Sequence, residues 1–367
     1  MNMSNFLFQN VAYPLFNTRV GWYINKWMNP SGQAPHTIID EQNIVVDARI
    51  RIQPVAIEVD NYAYIIADLA KHTVLLVDPA DPERVREVLK ATYSGFKVAG
   101  VLCTHKHHDH SGGNHAFKGV PIYGGRGEKV PYATHEVGAV GGEVFTLGRI
   151  RVTAYLTPCH TKASVMYLLS DPLTRPVLFS GDTLFQAGVG KFFEGSASDM
   201  LAVIDTINTQ LPLTTLLYAG HEYTLANLEF ANTVEPNNPH IEAELARARA
   251  RRDHNLCTAP SSLVIERDTN VFLRARDPRI ALALIGDEEE AMDMPHDQVL
   301  ALLRRLRTAF RVGHDGKDGK KEEVPPPVPA RAMVEEKPHG GAPVHAGVPE
   351  GGKSMTWEEA AVWAASK

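Results

Sequence analysis

The sequence predicts an α/β fold followed by a helical region, on three observations. Between about residues 50 and 225, short apolar runs rich in β-branched residues alternate with polar helical stretches. From about 226 to 312 the pattern is helical, and several of the earlier apolar runs end on a His or an Asp beside a Gly, Pro or Cys turn. Ligand-type side chains placed after separate strands would meet at a common sheet edge.

In chain order, residues 1–45 come first, with Phe6, Phe8, Tyr13, Phe16, Trp22, Tyr23 and Trp27 and no acidic residue before Asp40. With Arg19 and Lys26 as its basic residues, this extension is a poor transit peptide. An amphipathic helix making weak membrane or protein contact is an equal reading. No apolar run reaches the ~18 residues of a spanning helix, so none is expected. Ala63-Tyr64-Ile65-Ile66-Ala67 and Val74-Leu75-Leu76-Val77 then read as strands, and Pro82 to Ala91 as a helix.

Val98-Ala99-Gly100-Val101-Leu102-Cys103 reads as a buried strand, and it delivers Thr104-His105-Lys106-His107-His108-Asp109-His110. Such a density of metal-binding side chains points to a transition-metal site. His105 and His107, two apart in extended backbone, point the same way and can hold one ion, while Asp109 and His110 can reach a second as the chain turns. Two ions need further ligands. Val152 to Thr161 supplies His160, Val177 to Thr183 supplies Asp182, and Leu216 to Glu222 supplies His221, each after a strand-like run.

Thr104 to Asn114, Thr157-Pro158-Cys159-His160-Thr161, Ser180-Gly181-Asp182-Thr183-Leu184-Phe185 and Gly220-His221-Glu222-Tyr223-Thr224 together resemble the metallo-β-lactamase superfamily. Within it they are most similar to glyoxalase II, the hydroxyacylglutathione hydrolases, from about residue 50 to about 310. The resemblance implies a four-layered α/β/β/α sandwich over 46–225 and a helical substrate-binding domain over 226–312. Carried over by position, it assigns His105, His107 and His160 to a first metal and Asp109, His110 and His221 to a second, bridged by Asp182. The implied cofactor is a pair of divalent ions, zinc first, with iron or manganese as alternatives. His108 falls on a non-ligand position. Tyr13 to Tyr23, Asp60-Asn61-Tyr62-Ala63-Tyr64 and Thr104 to His107 also resemble the probable hydrolase of paroxysmal nonkinesigenic dyskinesia, a glyoxalase II relative. The loop Gly188 to Gly195 is more similar to glyoxalase II itself.

Paired divalent ions lower the pKa of water to near neutrality and polarise an acyl carbonyl. A thioester suits such a site, because its leaving thiolate comes from a thiol of pKa roughly 8.5 and needs no protein acid. Asp109 and Asp182 are therefore the catalytic candidates, with Asp109 placed to orient the attacking solvent. Glu222 reads equally as a substrate or supporting group and as a structural hydrogen-bond partner. Glutathione carries two carboxylates, which call for fixed cations and donors. The resemblance implies Lys191, Tyr223, Arg304 and Arg307 for that task. Phe193 stands where the family has a Tyr and lacks its hydroxyl. Arg304 and Arg307, at i,i+3 on one helix face, read equally as a solvated basic helix end.

The implied reaction is hydrolysis of an S-(2-hydroxyacyl)glutathione, S-lactoylglutathione above all, in methylglyoxal detoxification in cytoplasm or mitochondrion. The chain has 367 residues, 44% hydrophobic, which suffices for a large domain and a smaller one. A net charge of −6 argues against a nucleic-acid partner. The scattered Cys103, Cys159 and Cys257 indicate no disulfide framework, and Cys159 reads as a small apolar residue beside His160. Leu225 to Asn232, Pro239 to Arg252 and Asp297 to Phe310 read as helices. Residues 313–367, rich in Gly, Pro, Lys and Glu, read as a largely disordered tail, apart from a short helix over Met355 to Ala364. Two other functions fit part of this pattern. A persulfide dioxygenase would use one iron held by two His and a carboxylate. A weakly catalytic interaction protein would use the amino-terminal extension and tail.

Overall fold

Two sheets packed face to face carry the site at one end. The computed structural model describes residues 45–46, 49–58, 60–148, 150–170 and 175–310. The readings of the amino-terminal extension, with its membrane or protein contact, and of the tail with its terminal helix lie outside the described residues.

The first sheet runs in the order β1 (Val45–Val46), β2 (Ile50–Ile57), β3 (Asn61–Asp68), β4 (Thr73–Val77), β5 (Lys97–Leu102), β6 (Ile122–Gly125) and β7 (His135–Val137). Its first four strands are antiparallel neighbours and its last four are parallel. The helix Pro82–Thr92 makes the crossover between β4 and β5. Asp81 caps that helix on the Arg84 N–H and Pro82 opens it, which is the start chemistry a helix favours. In the second sheet the order is β15 (Ser261–Ser262), β14 (Leu216–Ala219), β11 (Val177–Gly181), β10 (Val165–Leu169), β9 (Ile150–Leu156) and β8 (Glu143–Leu147). The strands β12 (Leu184–Phe185) and β13 (Gly188–Val189) form a separate hairpin.

Strand alternation sorts the core. On β3, Tyr62, Tyr64 and Ile66 face the second sheet and join Val152, Tyr167, Phe179 and Tyr218 in the cluster between the sheets. Ala63, Ile65 and Ala67 point the other way and pack with Val85 and Tyr93 of the helical layer. Both faces of β3 are thus buried, which explains why its sequence reads as a continuous apolar run.

Pairing also sets where the strands end. Strands β9 and β11 are both antiparallel to β10, and β14 is parallel to β11, so β9, β11 and β14 finish at the same end of the second sheet. The turns after them hold His160, Asp182 and His221, and the turn after β5 of the first sheet holds the His105–His110 cluster. The expected common sheet edge is therefore one end of a two-sheet sandwich. The sheets are joined there by backbone bonds from Tyr62 N to Gly220 O (2.8 Å) and from Glu222 N to Asp60 O (2.8 Å).

Beyond β14, helices span Thr224–Val234, Pro239–Asp253 and His296–Ala309, close to the sequence-based bounds, with Leu263–Thr269, Pro278–Ile285 and Glu288–Asp293 between them. The helical region also contains one short strand. Ser261 and Ser262 form β15, pairing with Leu217 and Leu216, so this region also supplies the edge strand that satisfies one side of β14. No helix among the described residues is long and apolar enough to cross a membrane.

The same region buries Glu266, whose carboxyl is pushed up from the usual value to about 7 by its removal from water. The folded state then binds this proton more tightly than the unfolded chain does. Its stabilising contribution is full below about pH 4.5 and is lost as pH rises through about 7, a change of about 3 kcal/mol. Denaturant unfolding at about pH 5 and about pH 8 checks this: Glu266→Gln should gain roughly 2–3 kcal/mol on the unsubstituted protein between them. A difference that does not change with pH would contradict it.

Candidate functional site

Seven side chains converge where the strands end. His105 Nε2 lies 3.0 Å from His107 Nδ1, and His160 Nε2 lies 3.0 Å from the same nitrogen. His110 Nε2 and His221 Nε2 are 3.2 Å apart, and Asp109 Oδ2 is 3.9 and 3.6 Å from them. Asp182 stands between the two groups. Its Oδ1 is 3.2 Å from His110 Nε2 and 3.3 Å from His221 Nε2, while its Oδ2 is 3.4 Å from His160 Nε2. The trios His105/His107/His160 and Asp109/His110/His221 each bring their donor atoms within 4.8 Å of one another, as metal ligands do.

The outward ring nitrogens are occupied, which fixes the inward ones. His110 Nδ1 donates to Asp78 Oδ2 (2.9 Å), His221 Nδ1 to Asp60 Oδ1 (2.8 Å) and His160 Nδ1 to the Lys191 carbonyl (3.0 Å). The Thr104 hydroxyl donates to Asp78 (2.7 Å), so at 3.1 Å it accepts from His105 Nδ1. In each of these rings Nε2 is left to face the cluster, the arrangement that orients metal-ligating imidazoles. Asn61 Nδ2 donates to Asp109 Oδ2 at 3.1 Å. Gly220 permits the close approach: a Cβ there would sit 2.6 Å from Asp182 Oδ1 and 2.8 Å from His110 Cε1.

Burial holds His105 and His107 well below the usual imidazole value, with neighbouring imidazoles adding to it, and it lowers His160 as well. These rings are neutral at pH 7, the form that ligates metal. Burial also acts to lower His110 and His221, but the facing carboxylates outweigh it, Asp182 foremost. His110 is held well above its usual value and His221 is raised to about 10. Asp182 stays well below the ordinary carboxylate range, because His221 and His110 overcome the effect of its burial. Asp182 Oδ1 is a buried anionic oxygen that faces His110 and His221 at 3.2 and 3.3 Å without a well-aligned hydrogen bond to either. A cation among these donors would satisfy it directly.

The substrate candidates border this cluster to different degrees. The Phe193 ring packs 5.1 Å from that of His160 and 5.8 Å from that of His107, and Lys191 Nζ lies 5.9 Å from the Phe193 centroid. Tyr223 stacks on His221 at 4.8 Å and 6°. Its hydroxyl is pushed well above its ordinary pKa by burial, with Asp60 and Asp182 adding to it and Arg307 opposing, so it remains a donor. Arg307 Nε donates to Asn227 Oδ1 (3.0 Å), and Arg304 Nη1 donates to the Val189 carbonyl (2.6 Å). Arg304 thus spends part of its fork on backbone. Burial and the nearby Arg307 lower it to about 9.

Two family models match consecutive parts of the chain: Metallo-beta-lactamase superfamily over 57–221 and Hydroxyacylglutathione hydrolase C-terminus over 222–310. "Hydroxyacylglutathione hydrolase cytoplasmic" of Arabidopsis thaliana is 44% identical over 227 residues, covering 60% of this chain and 86% of the relative. "Hydroxyacylglutathione hydrolase" of Dictyostelium discoideum is 33% identical over 271 residues, covering 71% of this chain and all of the relative. The chain belongs to the hydroxyacylglutathione hydrolase family. Among solved structures, that of ETHE1 from Myxococcus xanthus is 22% identical and covers 72% of this chain and 97% of its own, at a TM-score of 0.46.

For this hydroxyacylglutathione hydrolase family member, membership of the metallo-β-lactamase superfamily implies two divalent metals. The two trios and the orphaned Asp182 oxygen fit them. The boundary between the two matched parts falls between His221 and Glu222. Glu222 is buried and accepts from the Tyr62 hydroxyl (2.6 Å), Thr258 N (2.9 Å) and the Thr258 hydroxyl (2.6 Å). Of its two sequence readings, these contacts match the structural one. Cys159 is fully buried and its thiol is pushed up to about 12, so it is a small apolar residue beside His160.

Neither Asp60 nor Asp78 stands out in the sequence as a site residue, although each orients one imidazole. Asp78 follows β4 directly and so carries the same placement signal as the histidines, but a lone Asp after a strand is too common to stand out. Glu128 was missed as well. It joins the two ligand loops by accepting from Lys106 N (3.2 Å) and Ala163 N (2.9 Å).

Proposed function

We infer that this chain is a metal-dependent thioesterase that hydrolyses S-(2-hydroxyacyl)glutathione, S-lactoylglutathione above all, to the 2-hydroxy acid and glutathione, in methylglyoxal detoxification. The observation that carries the reading is the direct succession, in one chain, of the seven-residue cluster and a segment matching the hydroxyacylglutathione hydrolase C-terminus. In this reading His105, His107 and His160 hold one metal and Asp109, His110 and His221 the other, with Asp182 shared. Zinc is the proposed metal, with iron and manganese as alternatives suited to the same N/O donors.

Bound divalent ions supply Lewis acidity and bring the pKa of water near neutrality. Asp109, steadied by Asn61, orients the attacking water, and Asp182 keeps both trios in register. The Tyr223 hydroxyl, Lys191 and Arg307 supply the donor and the cations for the thiol carrier, and Phe193 gives it an apolar wall. Addition of that water to the acyl carbon gives a tetrahedral adduct, and breaking its C–S bond releases a thiolate that needs no acid from the protein, consistent with a centre made almost wholly of ligand-type groups. The cytoplasm is the proposed compartment, supported by the name of the Arabidopsis relative.

Metal-replete protein assayed on lactoylglutathione, lactoyl-trypanothione and lactoyl-coenzyme A tests this. Acylglutathione should lead in kcat/KM by about 100-fold, because buried donors left unpaired by the wrong carrier are penalised. Preference for the coenzyme A ester would overturn the carrier. One iron per chain with oxygen uptake would overturn the reaction and favour a dioxygenase.

A further inference from the structure

The β12–β13 hairpin lies between the helical region and the site. Phe185 pairs with Gly188, leaving Gln186 and Ala187 as the turn, and Ala187 has φ 53°, where glycine or asparagine is usual. Alanine offers no side chain to compensate. The turn is held from outside instead. Glu266 Oε2 accepts the Ala187 N–H at 2.7 Å, and Asn270 Nδ2 donates to the carbonyls of Phe185 (3.3 Å) and Gly188 (3.1 Å). The two clamp side chains are themselves fixed. Glu266 Oε1 accepts from the Ser261 hydroxyl (2.6 Å), Asn270 Nδ2 lies 3.2 Å from Glu266 Oε2, and Asn270 Oδ1 accepts from Phe272 N (3.1 Å). Asn227 Nδ2 takes the Gln186 carbonyl (2.9 Å) and Arg304 the Val189 carbonyl. Backbone groups of five consecutive residues, 185 to 189, are therefore bound by side chains from the region after β14.

The other side of the hairpin touches the site. The Phe185 ring packs 5.2 Å from that of Tyr223 and 5.9 Å from that of His221. Two residues past the hairpin comes Lys191, and two further on comes Phe193. Displacement of the turn therefore moves the groups that face the thiol carrier. The imidazoles of His105, His110 and His221 are braced separately, by Thr104, Asp78 and Asp60, whereas His160 donates to the Lys191 carbonyl, so metal content reports whether displacement of the turn reaches that ring.

We propose that Glu266 and Asn270 are positioning residues for substrate binding, holding the 184–189 hairpin so that Lys191, Phe193 and Tyr223 meet the thiol carrier in one geometry. The kinetic readout of this inference rests on the acylglutathione reading above. Neither residue touches the substrate, and both are buried, at 1% and 0% exposure. Losing the carboxylate leaves the Ala187 N–H unpaired in a backbone conformation alanine disfavours, and the turn relaxes.

The test uses the full chain with its metals: the unsubstituted protein, Glu266→Ala, Glu266→Gln and Asn270→Ser. Each is measured for lactoylglutathione kinetics, metal per chain and amide hydrogen exchange over residues 185–193. Glu266→Ala should raise KM about tenfold with kcat within about twofold, keep its metals and speed exchange in that segment. Glu266→Gln keeps an acceptor for Ala187 and a partner for Ser261, and should return KM to within about twofold of the starting value. Asn270→Ser removes the grip on Phe185 and Gly188 and the contact with Glu266 Oε2, while its hydroxyl can still accept from Phe272 N, so it decides the matter if Glu266→Ala does not fold, and should show the same KM-selective loss. Unchanged KM and exchange, or a fall in kcat together with loss of metal, would overturn the proposal. If the unsubstituted protein does not hydrolyse acylglutathione, the functional reading fails, and the exchange measurements alone decide the clamp: unaltered exchange over 185–193 rejects it.

Discussion

Replacing Asp182 with alanine should lower kcat/KM on lactoylglutathione by at least about a thousandfold and prevent the protein from holding two metals together. The expectation comes from the placement of one side chain. Asp182 Oδ1 faces His110 and His221 and its Oδ2 faces His160, so this one carboxylate reaches both trios. Removal leaves His110 and His221 without the anion that does most to raise them, and leaves the two trios with no shared ligand. Elemental analysis after dialysis, combined with kinetics, reads both effects. A variant that retains two ions and its rate would remove Asp182 from the site.

The second large effect is expected at Asp78, which lies behind the cluster. Asp78 Oδ1 accepts from Thr104 N (2.8 Å), and its Oδ2 accepts from the Thr104 hydroxyl and His110 Nδ1. One buried carboxylate thus fixes the start of the ligand loop and one ligand ring. Asp78→Ala strands these donors away from water, at about 1–3 kcal/mol for each group left unpaired. It also lets the His110 ring turn, so affinity for a metal at the proposed Asp109, His110 and His221 trio should fall about 10–100-fold. Titration against a competing chelator measures the affinity, and thermal unfolding measures the stability. Unchanged affinity with lowered stability would make Asp78 a fold residue only.

The two kinds of aspartate show what the sequence could and could not reveal. His105, His107, Asp109 and His110 were legible because four donors crowd into one loop, and His160, Asp182 and His221 because each closes an apolar run. Asp60 and Asp78 are single carboxylates whose roles depend on which imidazole the fold brings to them, and local spacing does not carry that information. The strands were legible for a related reason. Burial on both faces makes β3 continuously apolar, whereas β15 is two serines whose pairing with Leu216 and Leu217 is decided wholly by tertiary contact.

The helices divide in the same way. Pro82–Thr92, Pro239–Asp253 and His296–Ala309 have length and pattern enough to be read. Leu263–Thr269 and Glu288–Asp293 are short, and their signals are confined to the caps Ser262 and Asp287. Ala197–Gln210 carries a capping box, Ser196 with Asp199, that a closer reading of that segment could have found. The grip of Glu266 and Asn270 on the hairpin spans about 80 residues of chain and has no local signature.

Hydrolysis of an acylglutathione thioester should depend on metals held by the seven-residue cluster. Metal-free protein titrated with zinc, while lactoylglutathione hydrolysis is followed, tests it most directly. Hydrolysis should be absent without metal, rise with added zinc until two equivalents per chain, and show no rise for His105→Ala. Hydrolysis by the metal-free protein, or two bound zinc ions with no hydrolysis, would contradict it.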